Sequence, residues 1–168
     1  MVTDGMARPA GSTLVFIHGL DSSSRGTKGA FFQARYPRMI VEDFEGPFEE
    51  RMAKLETLLT DKDGLTLIGS SLGGLMAAVF SFRHVEKIAK LILLAPALNH
   101  LPPEMCRNLK LYFPVVIYHG NHDETVPPGP VHDIARQIFT NLTYHLVEDD
   151  HSLHQIFFSL AWDDLLSC

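Results

Sequence analysis

Cysteine is scarce in this chain. Its two cysteines in 168 residues, Cys106 and Cys168, are too few and too irregularly placed for a disulfide framework or a thiolate metal site. That scarcity suits a reducing compartment, so a cytoplasmic location is the expectation. Long hydrophobic runs are missing too: the most apolar stretch, Leu91 to Leu98, is broken by Pro96 and falls well short of the roughly 18 residues of a spanning helix. Met1 to Gly11 holds Asp4 and Arg8 and lacks the continuous apolar region of a secretory signal. Residues 1–11 are therefore expected to be a flexible tail and 12–168 a single domain. Positive charge is in deficit, with 14 Lys and Arg against 20 Asp and Glu and a formal charge of −6. Such a balance offers no surplus to neutralise phosphates or anionic lipid, which argues against nucleic-acid and membrane partners. What the chain does have is a globular composition, 46% hydrophobic and 20% charged, at a length that supports one compact core.

Short aliphatic runs alternate with segments of helical period from about residue 13 onward, without a linker or a repeat. This alternation predicts an α/β fold with a mainly parallel sheet flanked by helices on both faces. Six strands are expected: Thr13 to His18, Met39 to Asp43, Leu65 to Gly69, Lys90 to Ala95, Pro114 to His119 and Leu142 to Glu148. Phe48, Met52, Leu55 and Leu59 recur at helical spacing, with Glu49 and Glu50 in the first turn where the helix dipole favours acids. Further amphipathic helices are expected through Val131, Ile134, Ala135 and Ile138, and through Leu153, Ile156, Phe157 and Leu160. Leu72 to Phe82 is apolar on nearly every face, with Gly73, Gly74, Ala77 and Ala78 among its small residues, and reads as a helix buried against the sheet.

The strand around Ile68 runs into Gly69-Ser70-Ser71-Leu72-Gly73, a G-x-S-x-G pattern that opens the buried helix. A turn that sharp leaves no room for bulky side chains two residues either side of Ser71, and both positions are glycine. Ser71 would project from the strand's carboxyl end, above a helix N-terminus that favours developing negative charge. An alcohol is a weak nucleophile at neutral pH and needs a base, which in turn needs an orienting acid. Two later strands supply them in order. One runs into Gly120-Asn121-His122-Asp123-Glu124 and the last into Glu148-Asp149-Asp150-His151, so that Asp123 and His151 join Ser71 at one sheet edge. Glu124 is the competing acid and Ser70 the competing nucleophile. The nine histidines invite a metal reading, but no H-E-x-x-H or i, i+4 histidine pair falls on an expected helix.

From Leu14 to about Leu160 the chain resembles the small α/β-hydrolases, and among them the YqiA-like esterases. The resemblance is carried by Phe16-Ile17-His18-Gly19-Leu20-Asp21-Ser22-Ser23, by Ile68-Gly69-Ser70-Ser71-Leu72-Gly73-Gly74, by His119-Gly120-Asn121-His122-Asp123-Glu124-Thr125-Val126-Pro127, and by Asp150-His151. It implies a hydrolase without a cofactor, in which Ser71 is the nucleophile, His151 the base and Asp123 the acid. It also implies an oxyanion hole formed by the backbone N–H groups of Leu20 and Leu72. The first strands of the larger eight-strand sheets are missing, and about 18 residues between Ala95 and Pro114 leave space for a loop or one helix but not a lid domain. The expected substrates are therefore small or flexible acyl esters or thioesters in an open site. Acyl transfer or another hydrolysis on the same three residues remains open, as does a non-catalytic interaction module with an unknown protein partner.

The neighbouring residues have plainer expected roles. His18 supports the loop after it, Asp43 accepts a hydrogen bond in its loop, and His154 lies on the surface of the final helix. Trp162 and Phe157-Phe158 pack that helix on the sheet, with an acyl-binding platform as the alternative. Arg25 and Lys28 belong to a solvated polar loop, with contact to an anionic substrate group as the alternative.

Overall fold

The structure, a computed structural model, describes residues 12–167. The expected tail at residues 1–11 lies outside them, as does Cys168. Six strands form one all-parallel sheet: β1 (Thr13–Ile17), β2 (Ile40–Val41), β3 (Leu65–Ser70), β4 (Ile88–Leu94), β5 (Val115–Gly120) and β6 (Leu142–Val147), in the order β2-β1-β3-β4-β5-β6. Six helices accompany them: α1 (Thr27–Arg35), α2 (Phe48–Leu59), α3 (Leu72–Arg83), α4 (Pro103–Asn108), α5 (Pro128–Ile138) and α6 (Trp162–Leu165). None of the helices among the described residues is long and apolar enough to cross a membrane.

Both faces of the sheet are covered, which explains why the central strands read as continuous apolar runs. Alternate residues feed two cores. Val15, Ile17, Leu67, Leu91 and Leu93 pack against α2, α3 and α5. Leu14, Phe16, Ile68, Ile92 and Leu94 face the other way, onto Phe32 of α1 and onto Leu153, Phe157 and Trp162 from the C-terminal part of the chain. Phe32 and Trp162 meet edge to face at 4.8 Å. Buried without break from Gly73 to Ser81, α3 is as enclosed as its composition suggests.

Several expectations need correcting. The segment from Leu153 to Leu160 is not an amphipathic helix: it holds only a 3₁₀ turn at Phe157–Ser159, and Leu153 has a φ of +55°. Its apolar spacing comes from a loop folded over the core. His154 is exposed as expected, but in this loop rather than on a helix. Residues Thr27–Arg35, which include the supposedly solvated Lys28, form α1. Finally, β2 shrinks to Ile40–Val41 because it is an edge strand paired only with β1, whereas β4 begins two residues early through a register shift against β3 at Leu65 and Thr66.

Candidate active site

The loops that follow β1, β3, β5 and β6 meet above the carboxyl edge of the sheet, where open parallel sheets place their ligands. Ser71, between β3 and α3, sits at φ +54°, ψ −115°, a conformation that costs an ordinary residue about 1–3 kcal/mol. Close packing enforces it. A Cβ at Gly69 would lie 2.4 Å from the Gly73 carbonyl oxygen, and one at Gly73 would lie 2.0 Å from the Ile17 carbonyl oxygen. The two glycines of the motif therefore allow strand, turn and helix to pack this closely.

Ser71, His151 and Asp123 form one hydrogen-bonded chain. The Ser71 Oγ is 3.0 Å from His151 Nε2, and His151 Nδ1 is 2.7 Å from Asp123 Oδ2. Because a carboxylate only accepts, Nδ1 carries the proton and Nε2 is left to accept from the serine hydroxyl. The Asp123 side chain has no solvent exposure, yet its charge is well satisfied. Its Oδ1 accepts the backbone N–H groups of Thr125 (2.9 Å) and Val126 (2.8 Å). Glu124 is exposed and Ser70 ends β3, so neither competitor joins this chain.

Leu20 and Leu72 both line the cleft at Ser71, which has a volume of about 540 Å³. Leu72 is the first residue of α3, where N–H groups have no partner within the helix. Two residues brace the loop that holds Leu20. His18 donates from Nδ1 to the Gly19 carbonyl (2.7 Å) and accepts the Phe44 N–H at Nε2 (2.9 Å), the supporting role expected of it. The buried Arg51 guanidinium of α2 reaches the carbonyls of Gly46 (2.8 Å) and Leu20 (3.5 Å). Asp43 accepts the Ser24 N–H, as expected of a loop acceptor.

Other residues at the site escaped the sequence reading. Asp149, almost fully buried, accepts the N–H groups of Asp150, Gln155 and Ile156 and so shapes the loop that carries His151. The Lys28 ammonium donates to the Ser152 carbonyl at 2.6 Å and lies 5.3 Å from the Phe157 ring centre. Burial pushes its pKa down, with Asp150 and Asp149 opposing the shift. Phe158 was expected to pack beneath a helix but is exposed on the cleft wall, whereas Phe157 and Trp162 are buried as expected. A run of polar residues near a strand end was the available signal for Asp149; Lys28 reads in the sequence as a solvated loop residue or a contact for an anionic substrate group, and its tie to Ser152 shows only in the fold.

His119 of β5 is fully buried, and burial pushes its pKa below the ordinary histidine value, although the Val126 carbonyl and Asp123 pull it the other way. In the unfolded chain the ring takes up a proton near about pH 6.5. The folded state resists that proton, so the unfolded state binds more protons below this pH. The stability due to the neutral ring is complete above about pH 6.5 and declines as the pH falls, by at most about 1.4 kcal/mol per pH unit. Urea unfolding at pH 7.5 and 5.5 is expected to show this loss, and the loss should be smaller in His119→Phe. Equal losses in the two proteins would refute it.

The model of the Uncharacterised protein family UPF0227 matches residues 13–122, more than half of the chain. The chain belongs to this family. The match agrees with the YqiA-like resemblance read from the motifs, and in this UPF0227 chain it spans Ser71 and ends one residue before Asp123. No curated protein matches. Among known structures, the mouse alpha/beta hydrolase domain-containing protein 10 superimposes with a TM-score of 0.74 at 20% identity, over 95% of this chain and 92% of that one. Est1E from Butyrivibrio proteoclasticus gives 0.73 at 17% identity, over 94% and 88%. The Paleococcus ferrophilus monoacylglycerol lipase gives 0.65 at 15% identity, over 95% of each chain. The UPF0227 chain therefore has the α/β-hydrolase fold.

Proposed function

We propose that the protein is a serine hydrolase of the carboxylesterase or thioesterase type that cleaves small or flexible acyl esters. The observation that carries this reading is the unbroken chain from Ser71 Oγ through His151 to Asp123 Oδ2, at 3.0 and 2.7 Å, on the floor of an open cleft. Esterases and a lipase among proteins of the same fold support it.

In this mechanism His151 Nε2 takes the hydroxyl proton as Ser71 Oγ attacks the acyl carbonyl carbon, and Asp123 stabilises the imidazolium that results. The Leu20 and Leu72 N–H groups hold the oxyanion, each contributing on the order of 3 kcal/mol. His151 then protonates the leaving alcohol or thiol. Water, deprotonated by the same imidazole, cleaves the acyl-enzyme. The strained backbone at Ser71 suits this role, since it holds Oγ clear of the helix that follows.

A fluorescent fluorophosphonate tests the reading directly. The native protein is expected to label at Ser71, located by peptide mass, while Ser71→Ala does not label and His151→Ala labels at least about 100-fold more slowly. A folded native protein that fails to label would overturn the hydrolase reading in favour of an interaction module.

A further inference from the structure

We propose that His119 is a positioning residue of this site, whose Nε2–H holds the carboxylate oxygen of Asp123 that orients His151. The proposal rests on the hydrolase reading of Ser71, His151 and Asp123.

His119 is the penultimate residue of β5, so its ring is anchored by the sheet rather than by a loop. Its Nε2 lies 2.9 Å from the Val126 carbonyl oxygen and 3.1 Å from Asp123 Oδ2. A bare nitrogen facing two oxygens would be repelled by both, so the proton must sit on Nε2. Nδ1 is then the bare nitrogen, and it is buried without a partner among the described residues. Protonating it would create a buried donor with no acceptor, which keeps the ring neutral.

The same N–H does two jobs. Through Val126 it closes the loop whose amides at Thr125 and Val126 hold Asp123 Oδ1. Through Oδ2 it shares the oxygen that accepts from His151 Nδ1. The carboxylate is thereby held at both oxygens, and its charge is divided between two imidazoles. A carboxylate held in this way keeps its place against His151 Nδ1.

Other ionisable groups surround the pair. Tyr144 on β6 packs near His119, donates to the Pro128 carbonyl and has its pKa pushed up to about 12 by burial and by Asp123, so it stays protonated. His132 of α5 packs on Tyr144. On the other side of His151 are Asp149, Asp150, His154 and the Lys28 ammonium, on the loop after β6 and on α1. None of these groups makes a hydrogen bond to the Asp123 carboxylate among the described residues, which leaves His119 as its one side-chain donor besides His151.

The test compares the full chain with H119Q, whose amide N–H reaches as far as Nε2, and with H119F, which keeps the ring and removes the donor. With a chromogenic acetyl ester, H119F is expected to lose about 10- to 100-fold in kcat with little change in KM. H119Q should recover most of this loss. In parallel, ring ¹⁵N spectra should show His119 protonated on Nε2 and unchanging from pH 5 to 8. The downfield His151 Nδ1 proton should move in H119F and return in H119Q.

Losses that track only the folded fraction, with the His151 Nδ1 proton unmoved in H119F, would overturn the proposal. So would a His119 ring protonated on Nδ1. If the native protein cleaves no ester and takes no fluorophosphonate, the hydrolase reading fails. The spectra still decide then: a His151 proton indifferent to H119F overturns the hydrogen-bonded arrangement itself. Should H119F not fold, H119N, whose amide stops short of Asp123, takes its place.

Discussion

Asp123→Asn is expected to lower kcat by about 10⁴-fold, the size of the same change in serine proteases, while the fold survives. The arrangement around this residue makes the outcome unusually directed. The Thr125 and Val126 N–H groups face Oδ1, so an asparagine must present its carbonyl oxygen there. Its NH₂ group then falls where Oδ2 was, facing His151 Nδ1 and His119 Nε2. To accept from this donor His151 must bare Nδ1 and move its proton to Nε2, where it can no longer take one from Ser71. Steady-state hydrolysis of a chromogenic ester, with circular dichroism as the control for folding, measures the effect. A loss below tenfold in a folded variant would show that Asp123 does not orient the base.

The largest expected effect on stability comes from one methyl group. Gly73→Ala would place its Cβ 2.0 Å from the Ile17 carbonyl oxygen, 2.6 Å from the Ile17 carbonyl carbon and 2.7 Å from the His18 carbonyl oxygen. All three are backbone atoms at the end of β1, so no side chain can turn aside to make room. Either α3 must back away from the sheet or β1 must shift against β3, and both are built into the core. A loss of at least about 3 kcal/mol follows, the upper part of the range for overpacked sites. Gly129→Ala is the matched control, because nothing lies within 4 Å of a Cβ there, and it should stay within about 0.5 kcal/mol of the parent. Urea denaturation of the two variants compares them, and similar midpoints would show that the helix packs less closely than described.

The central strands were legible in the sequence because they are buried on both faces, and such strands announce themselves as uninterrupted apolar runs. Ser71, Asp123 and His151 could be placed because each lies within four residues of a strand end, so strand and candidate residue were located together. The C-terminal loop could not be read in this way. Leu153, Ile156, Phe157 and Leu160 repeat with helical spacing, but Asp149 draws the Gln155 and Ile156 N–H groups to its own carboxylate and Leu153 turns to positive φ. A long-range core, not a helix, sets that spacing. The opposite failure occurred at Thr27–Arg35, where Gly29 dilutes the helical signal; it is small because a Cβ there would strike the Ser24 carbonyl at 2.2 Å. His119 could not be recognised because a buried histidine and a supporting one have the same letter in the sequence, and only distance separates them.

The core on the α1 side of the sheet draws its buried aromatic residues from early and late parts of the described chain. Phe16 and Phe32 come early, and Phe157 and Trp162 come after all six strands. Three polar ties span the same gap, Lys28 to Ser152 and both Arg35 and Tyr36 to Asp163. During synthesis, therefore, the early half of this cluster leaves the ribosome more than a hundred residues before its partners exist. Until they arrive, one face of the sheet has only α1 to cover it, and that apolar surface is open to association with other chains. Completion of this face is a late step with high contact order, and it is also the step that brings the loop carrying His151 to rest beside Lys28. The nascent chain covers this apolar face and settles the loop carrying His151 only after Phe157 and Trp162 have been made.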